Sequence, residues 1–267
     1  MTRPVRLGAV NYLNVRPLVF GLDGHAGFTI RYDAPSECAR LLAAGEIDLG
    51  MVPSITYLDR AGDCVVPGVA IGSDGPVASV ALFSRRPMRE VRHIALDTSS
   101  RTSAALVRIL CRRVFEITPG FVPHAPDLPA MLASADAALL IGDAALFFDH
   151  RAAGVEKWDL GAIWAEMTGL PFVWAFWSGR PAAVDGTAVA ALQQSAHRGA
   201  TETESIARDY CTDHPARVPE AVRYLRENLA FELTPRAVEG LRTYYREAVA
   251  TGAARTERDV TFFDTAT

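Results

Sequence analysis

The sequence predicts an α/β protein with two lobes and a helical C-terminal segment. Short apolar runs alternate with helical patterns as far as residue 177, which is typical of strands and helices in a largely parallel sheet. One order of features, a helix, an acidic residue, a buried strand and a tight turn, occurs at 36–54 and again at 128–145. Two similarly built lobes would show this likeness. After residue 181 nearly all patterns are helical.

The strands are predicted from apolar and β-branched runs at 5–10, 28–32, 47–52, 77–84, 94–96, 137–141 and 172–177. Ser36 is the expected N-cap of a helix that stops at Gly45, since serine favours caps and glycine favours helix ends. Further helices are predicted at 104–110, 128–133, 184–197, 203–210, 219–229 and 235–249. Thr234 and Pro235 provide a cap and a first-turn proline for the last of them.

The simplest arrangement of these elements is a chain that crosses twice between its lobes. We expect lobe one at 1–84 plus 178–267, lobe two at 92–174, and hinge crossings at 85–91 and 175–177. Similar α/β lobes that are joined in this way place a ligand cleft between them, lined by the loops that follow the strands. Such clefts close around their ligand by hinge motion.

Composition excludes several classes of function. Among the 267 residues, 27 basic and 31 acidic side chains leave a net charge of −4, so nucleic acid is not an expected partner. The only lysine, Lys157, has no glycine-rich context for phosphate binding or Schiff-base chemistry. The four cysteines and six histidines are scattered without metal-ligand or disulfide spacing. We therefore expect no metal and no cofactor.

The N-terminal stretch lacks the unbroken apolar run of a signal peptide, and no run of 18 apolar residues occurs elsewhere. These observations predict a soluble, cytoplasmic protein that has no membrane partner. The sequence leaves the oligomeric state open.

The strongest local motif is a hydroxyl-rich turn between a strand end and an amphipathic helix. Its hydroxyl residues are Ser99, Ser100, Thr102 and Ser103. Free backbone N–H groups and the dipole at a helix start bind anions, and these hydroxyls add donors. The turn therefore predicts a carboxylate or phosphate pocket. Plain helix capping is the alternative, because serine and threonine are common caps.

Three other loops occupy comparable positions after strands. Asn14 follows the first strand and offers a donor and an acceptor, Ser79 lies on the strand leading out of lobe one, and Gly142 with Asp143 follows the strand at 137–141. Taken singly, each is more often a turn residue that satisfies its own backbone. Asp48 and Asp136 precede strands and are interpreted as structural.

Four motifs together resemble the chorismate dehydratase family of the futalosine route to menaquinone. They lie at 8–18, 97–103, 140–146 and 158–173 and keep the family order. The family is similar in fold to type II periplasmic binding proteins, so the resemblance implies that fold. Asn11 departs from the small turn residue expected there. The companion enzyme that forms dihydroxynaphthoate would show a Ser-Pro-rich first loop, and Tyr12-Leu13-Asn14 argues against it.

The resemblance implies a lyase that converts chorismate to 3-[(1-carboxyvinyl)oxy]benzoate and water. Asn14 is then expected to orient the enolpyruvyl carboxylate, which takes the ring proton itself. Ser79 or the turn at 99–103 would hold the other carboxylate, with Gly142 and Asp143 as further binding residues. Asp97 and Asp143 remain alternative proton acceptors. A non-catalytic carboxylate-binding module and the companion enzyme are the competing interpretations.

Overall fold

The computed structural model describes residues 3–265, with the side chain of Ser36 excepted. Its strands are β1 (Val5–Val10), β2 (Phe28–Asp33), β3 (Leu49–Pro53), β4 (Cys64–Val65), β5 (Ile71–Ser73), β6 (Val80–Ser84), β7 (His93–Asp97), β8 (Gly120–His124), β9 (Ala137–Ile141), β10 (Glu156–Asp159) and β11 (Phe172–Gly179). Its α-helices are α1 (Pro35–Ala44), α2 (Arg101–Arg113), α3 (Leu128–Ser134), α4 (Gly142–Leu146), α5 (Leu160–Thr168), α6 (Gly186–Thr201), α7 (Thr203–Tyr210), α8 (Val218–Arg223) and α9 (Pro235–Ala250). Short 3-10 helices occur at Leu13–Val19, Ser54–Asp59, Met88–Glu90 and Pro215–Arg217, and a π-helix at Tyr224–Asn228.

The strands form two sheets with the same internal order. The first runs β2-β1-β3-β11-β4, with β5 also paired to β11, and the second runs β10-β6-β9-β7-β8. In each sheet three parallel strands are followed by an antiparallel one, β11 in the first and β6 in the second. The predicted two-lobe α/β fold is confirmed. Within residues 3–265, however, parallel strand pairing is limited to those three strands of each sheet, apart from one isolated parallel bridge between Val65 and Phe262.

The sheets divide the chain differently from the expected lobe bounds. β6 was expected in lobe one, but it pairs with β9 and β10 in the second sheet, and β11 lies wholly in the first. Apolar runs show that a strand is buried but not which neighbours it pairs with. On sheet membership we propose that the crossings lie at 74–79 and 169–171, instead of 85–91 and 175–177.

Asp48 and Asp136 have the same structural role in the two sheets. The Asp48 carboxylate accepts hydrogen bonds from the backbone and side chain of Arg6, 2.8 and 3.0 Å away. The Asp136 carboxylate accepts from the backbone N–H groups of Arg92 and His93, at 3.0 and 3.1 Å. Each carboxylate thus holds the start of the neighbouring parallel strand, which agrees with their structural interpretation.

Two predicted helices differ in detail. The first helix begins at Pro35 with Ala34 as its N-cap, so Ser36 lies inside the helix, although the predicted end at Gly45 is correct, with φ 72°. Proline is tolerated in a first turn because no N–H is needed there. The helix predicted at 219–229 is α8 continued by the π-helix.

The core reflects the alternation of side chains along the strands. In β9, Ala137 and Leu139 belong to a large core that also contains the first sheet, whereas Ala138 and Leu140 face a smaller cluster that includes residues of α3. Both faces of β9 are therefore covered, which explains its unbroken apolar run. Within residues 3–265 no helix is both long and apolar enough to span a bilayer.

Candidate active site

A cleft lies where the two sheets face each other at the carboxyl ends of β1, β3, β7 and β9. It contains about 620 Å³ of space between atoms, part of it open to solvent. The predicted residues that line it are Asn14, Ser79, Ser99, Ser100, Thr102, Ser103 and Gly142. Seven of the eight predicted site residues are thus brought together from distant parts of the chain.

The hydroxyl-rich turn begins α2, as the sequence predicts. Ser100 occupies the N-cap position, but its side chain makes no capping hydrogen bond and faces the cleft. Thr102 Oγ1 accepts from the backbone N–H of Ile55 at 3.3 Å, so this hydroxyl also joins α2 to the segment after β3. Plain capping therefore does not account for the Ser100 hydroxyl.

Ser99 connects the cleft to a buried carboxylate. Its hydroxyl donates to Asp97 Oδ1 at 2.6 Å and its N–H donates to the same atom at 2.8 Å. Asp97 is 2% exposed, and burial raises the pKa of its carboxyl group. Because Asp97 does not line the cleft, it acts on the site through Ser99.

Ser79 is positioned by an unusual turn in the crossing segment. Ala78 has φ 60°, and the Ser79 N–H donates to the Val77 carbonyl at 2.7 Å across it. A left-handed conformation is rare for residues other than glycine and persists only where neighbouring groups hold it. Here the Asp159 carboxylate accepts from the N–H groups of Val77 and Ala78, at 3.0 and 2.6 Å, and also caps α5.

Asn14 and Ser79 share a neighbour behind the cleft. Ser79 Oγ is 2.7 Å from the hydroxyl of Tyr224, and the Asn14 side chain lies beside this phenol. Asn14 Oδ1 is buried and has no hydrogen-bond partner. Buried polar atoms without partners are uncommon in proteins. The free acceptor therefore marks a position where a ligand donor would fit.

Gly142 gives the cleft one of its close contacts. Its φ is 65°, and a Cβ atom at this position would lie 3.3 Å from carbons of the Tyr12 ring. Glycine adopts such a left-handed conformation without steric cost. Gly142 therefore allows the turn after β9 to approach the loop after β1.

Asp143 was expected in the same cleft, and the structure corrects this. It lines a neighbouring groove with Arg16, Tyr32, Tyr210 and Arg217 among others. Its carboxylate accepts from the Leu13 N–H at 3.4 Å and from the Tyr210 hydroxyl. Gly142 lines the cleft with its backbone, whereas the side chain of Asp143 lies on the other side of the turn. Adjacency in sequence therefore does not place both residues in one pocket.

The cleft is neutral. Among the described residues that line it, none has a charged side chain. Its walls are apolar, with the Tyr12 and Trp174 rings, and its polar groups are hydroxyls, one amide and the start of α2. An anion would therefore be held by uncharged donors and the helix dipole, which is how the sequence predicts that carboxylates bind.

Three aromatic residues of the site were not among the predicted site residues. Tyr12 lies in the first loop, and Trp174 lines the cleft from β11 while its Nε1 donates to Ser73 Oγ at 3.1 Å. An apolar strand with an aromatic side chain at alternate positions could have indicated Trp174. Tyr224 comes from the C-terminal helices, and no local pattern links it to the cleft.

Comparisons with solved structures define the class of fold. A protein of Archaeoglobus fulgidus superposes with a TM-score of 0.78 at 14% identity, over 95% of this chain and 99% of that chain. The periplasmic aliphatic sulphonate binding protein of Escherichia coli gives 0.64 at 16% identity, over 97% and 91%. A Candida albicans protein described as having the generic periplasmic binding protein fold gives 0.66 at 9% identity, over 96% and 92%. The chain has the periplasmic-binding-protein fold.

Sequence relatives define the family within that class. The chain belongs to the menaquinone biosynthesis family, whose sequence pattern matches residues 5–250. It is 33% identical over 194 residues to a chorismate dehydratase of Thermus thermophilus. The aligned region covers 67% of this chain and 70% of the relative. The matched residues 5–250 include strands of both sheets and all eight predicted site residues.

Proposed function

We propose that this chain is a hydro-lyase that converts chorismate to 3-[(1-carboxyvinyl)oxy]benzoate and water in menaquinone biosynthesis. Family membership and the Thermus thermophilus relative support the reaction. The observation that carries the proposal is the meeting of Asn14, Ser79 and the hydroxyl turn in one uncharged cleft between the sheets. The role of every site residue below is part of this proposal.

The cleft has donors suited to a ring acid with two carboxylates. Asn14 orients the enolpyruvyl carboxylate, while Ser79 or the hydroxyls at 99–103 bind the ring carboxylate. The start of α2 adds its dipole. The ring hydroxyl is the only hydrogen-bond donor of the dianion, and Asn14 Oδ1 is a buried acceptor that has no partner of its own. Tyr12 and Trp174 provide apolar surface for the ring.

Dehydration removes a proton from the ring carbon bearing the enolpyruvyl ether and hydroxide from the adjacent carbon. The enolpyruvyl carboxylate takes the proton, the carbon–oxygen bond to the hydroxyl breaks, and the departing hydroxide regains the proton as water. Aromatisation of the ring drives the reaction. The protein contributes mainly by holding the reacting groups in place, which is worth about 7 kcal/mol in favourable intramolecular cases.

No protein carboxylate lies among the described cleft-lining residues, and this favours the substrate as the base. Asp97 does not line the cleft and is bonded to Ser99, and Asp143 is bonded to Leu13 and Tyr210 in the neighbouring groove. A general base must come within hydrogen-bond reach of the proton that it removes. Both aspartates would have to move to do so.

The decisive experiment mixes purified protein with chorismate and follows the products by mass spectrometry. A product lighter than chorismate by one water supports the proposal. Tight binding of chorismate without a product would instead support a non-catalytic carboxylate-binding protein. The companion enzyme that forms dihydroxynaphthoate would leave chorismate unchanged. A cytoplasmic location and the absence of nucleic-acid partners stay predictions.

A further inference from the structure

One buried phenol from the C-terminal helices contacts a candidate site residue in the first third of the chain. Tyr224 Oη lies 2.7 Å from Ser79 Oγ, and the Asn14 side chain lies beside the same phenol. Tyr224 is 2% exposed and is not among the residues that line the cleft. It therefore lies behind Ser79 and Asn14, which do line it.

The partners of these groups determine the direction of each hydrogen bond. Asn14 Oδ1 has no partner. Burial raises the pKa of Tyr224, whereas the neighbouring Asn14 amide lowers it, which is the effect of an Nδ2 donor that faces the phenol oxygen. Tyr224 then has one hydrogen to donate, and Ser79 Oγ is the acceptor within reach. The reverse direction would leave a hydroxyl hydrogen buried without an acceptor, which proteins avoid. Ser79 thus accepts from Tyr224, and its own hydrogen is free.

We propose that Tyr224 is a positioning residue that holds Asn14 and Ser79 so that one amide hydrogen and the Ser79 hydroxyl hydrogen point into the cleft as donors to the substrate carboxylates. This inference rests on the proposed function. A hydroxyl rotates freely unless a neighbour orients it. Donors that are oriented before the substrate binds need no reorganisation during the reaction, which is the basis of electrostatic preorganisation.

The local backbone provides an independent observation. Tyr224 is the first residue of the π-helix at Tyr224–Asn228, and Asn228 Nδ2 donates to the carbonyl of Pro76 at 3.0 Å. π-helical turns are rare and occur frequently at functional sites. The π-helix is therefore attached to the crossing segment at 74–79 that contains Ser79. The hydrogen bond between Asn228 and Pro76 thus fixes the π-helix that carries Tyr224 against the segment that carries Ser79.

Tyr224→Phe tests the inference, because it removes the hydroxyl while phenylalanine fills the same space. We expect kcat for chorismate to fall about 100-fold, the loss typical of a small misplacement of reacting groups. KM should rise by no more than about tenfold, so that kcat carries the larger part of the loss. If Tyr224 acts through Ser79, the loss of kcat in the double variant Tyr224→Phe/Ser79→Ala should be smaller than the product of the two single losses. The difference should be about tenfold or more.

Tyr57→Phe is the matched control. Tyr57 is fully buried, and its hydroxyl accepts from Arg258 at 2.8 Å and from the Thr261 N–H at 2.9 Å, away from the cleft. We expect it to lower the melting temperature at least as much as Tyr224→Phe and to leave kcat unchanged. The inference would be overturned by a Tyr224→Phe enzyme whose kcat is within about threefold of wild type. A double variant whose loss of kcat equals the product of the two single losses would overturn it as well.

The proposed function can fail separately. If the wild-type chain binds chorismate without forming product, the lyase proposal is wrong, and the inference is tested by calorimetric titration with chorismate. Binding that is about tenfold weaker in Tyr224→Phe would then support oriented donors, a loss comparable to that of one hydrogen bond to a charged group. Unchanged affinity would contradict them. A wild-type chain that neither binds nor converts chorismate would overturn both.

Discussion

The hydroxyl of Tyr210 in α7 donates a hydrogen bond to the carboxylate of Asp143 at the start of α4. α7 belongs to the C-terminal helices, whereas α4 follows β9 of the second sheet. Leu13, after β1 of the first sheet, also donates its N–H to Asp143 at 3.4 Å. Asp143 thus joins the two lobes beside the cleft. Burial raises the pKa of Asp143 and, together with this bond, that of Tyr210.

Asn14→Ala should lower kcat for chorismate by about 100-fold or more, because the enolpyruvyl carboxylate loses the group that orients it. Asp143→Asn should keep kcat within about tenfold of wild type, since Asp143 lies outside the cleft and an amide can accept from Leu13 through its oxygen while donating to the Tyr210 hydroxyl through its nitrogen. Initial rates of product formation at saturating chorismate measure both. Loss of turnover in Asp143→Asn with chorismate still bound would show that a protein carboxylate is the base.

Ser100→Ala should separate binding from capping. Because the Ser100 side chain makes no capping bond, we expect a stability loss below about 0.5 kcal/mol together with weaker chorismate binding. Thr234→Ala is the contrasting variant, since Thr234 Oγ1 accepts from the Ala237 N–H at 3.1 Å. It should cost about 1 kcal/mol and leave turnover intact. Urea unfolding and steady-state kinetics on both variants decide between the two roles.

Gly142→Ala should combine backbone strain with a displaced Tyr12 ring, lowering stability by about 1–3 kcal/mol and reducing turnover. Gly154→Ala isolates the strain, because Gly154 has φ 64° and nothing within 4 Å of an added Cβ. It should cost about 1–2 kcal/mol with turnover unchanged. Thermal unfolding and kcat are measured for both. Equal effects of the two substitutions on kcat would show that the contact with the Tyr12 ring does not contribute to turnover.

Asp143 should also give stability a characteristic pH dependence. Burial raises its pKa, so the folded chain keeps this proton at pH values where the unfolded chain has lost it. The stability from the protonated form is therefore present at low pH and is lost as pH rises through the raised pKa. Asn cannot ionise, so the melting temperature of Asp143→Asn relative to wild type should increase between about pH 4 and pH 7.

Circular dichroism melts across that pH range provide the measurement. Gly154→Ala serves as the reference variant, because it removes no titratable group and should differ from wild type by a constant amount. A flat difference for Asp143→Asn would contradict the raised pKa of Asp143.

Much of the fold could be predicted because its signals are local. The strand at 137–141, the turn at 99–103 and the Thr234 cap follow from apolar periodicity and capping preferences, which act over a few residues. The sheet to which β6 belongs could not be predicted, because burial shows in the sequence but the pairing partner does not. The lobe bounds and the two crossings stay predictions.

The sequence by itself determined that two α/β units face each other and that Asn14, Ser79, Gly142 and the hydroxyl turn follow or lead into strands. Strand ends meet at one sheet edge, so these residues were expected together. Only the tertiary structure decided that Tyr224 lies behind Asn14 and Ser79. It also decided that the Asp143 side chain lies in the neighbouring groove and not in the cleft that Gly142 lines. The contact between Ser79 and Tyr224 joins residues 145 positions apart, and such contacts depend on how helices pack on sheets, which no local pattern encodes.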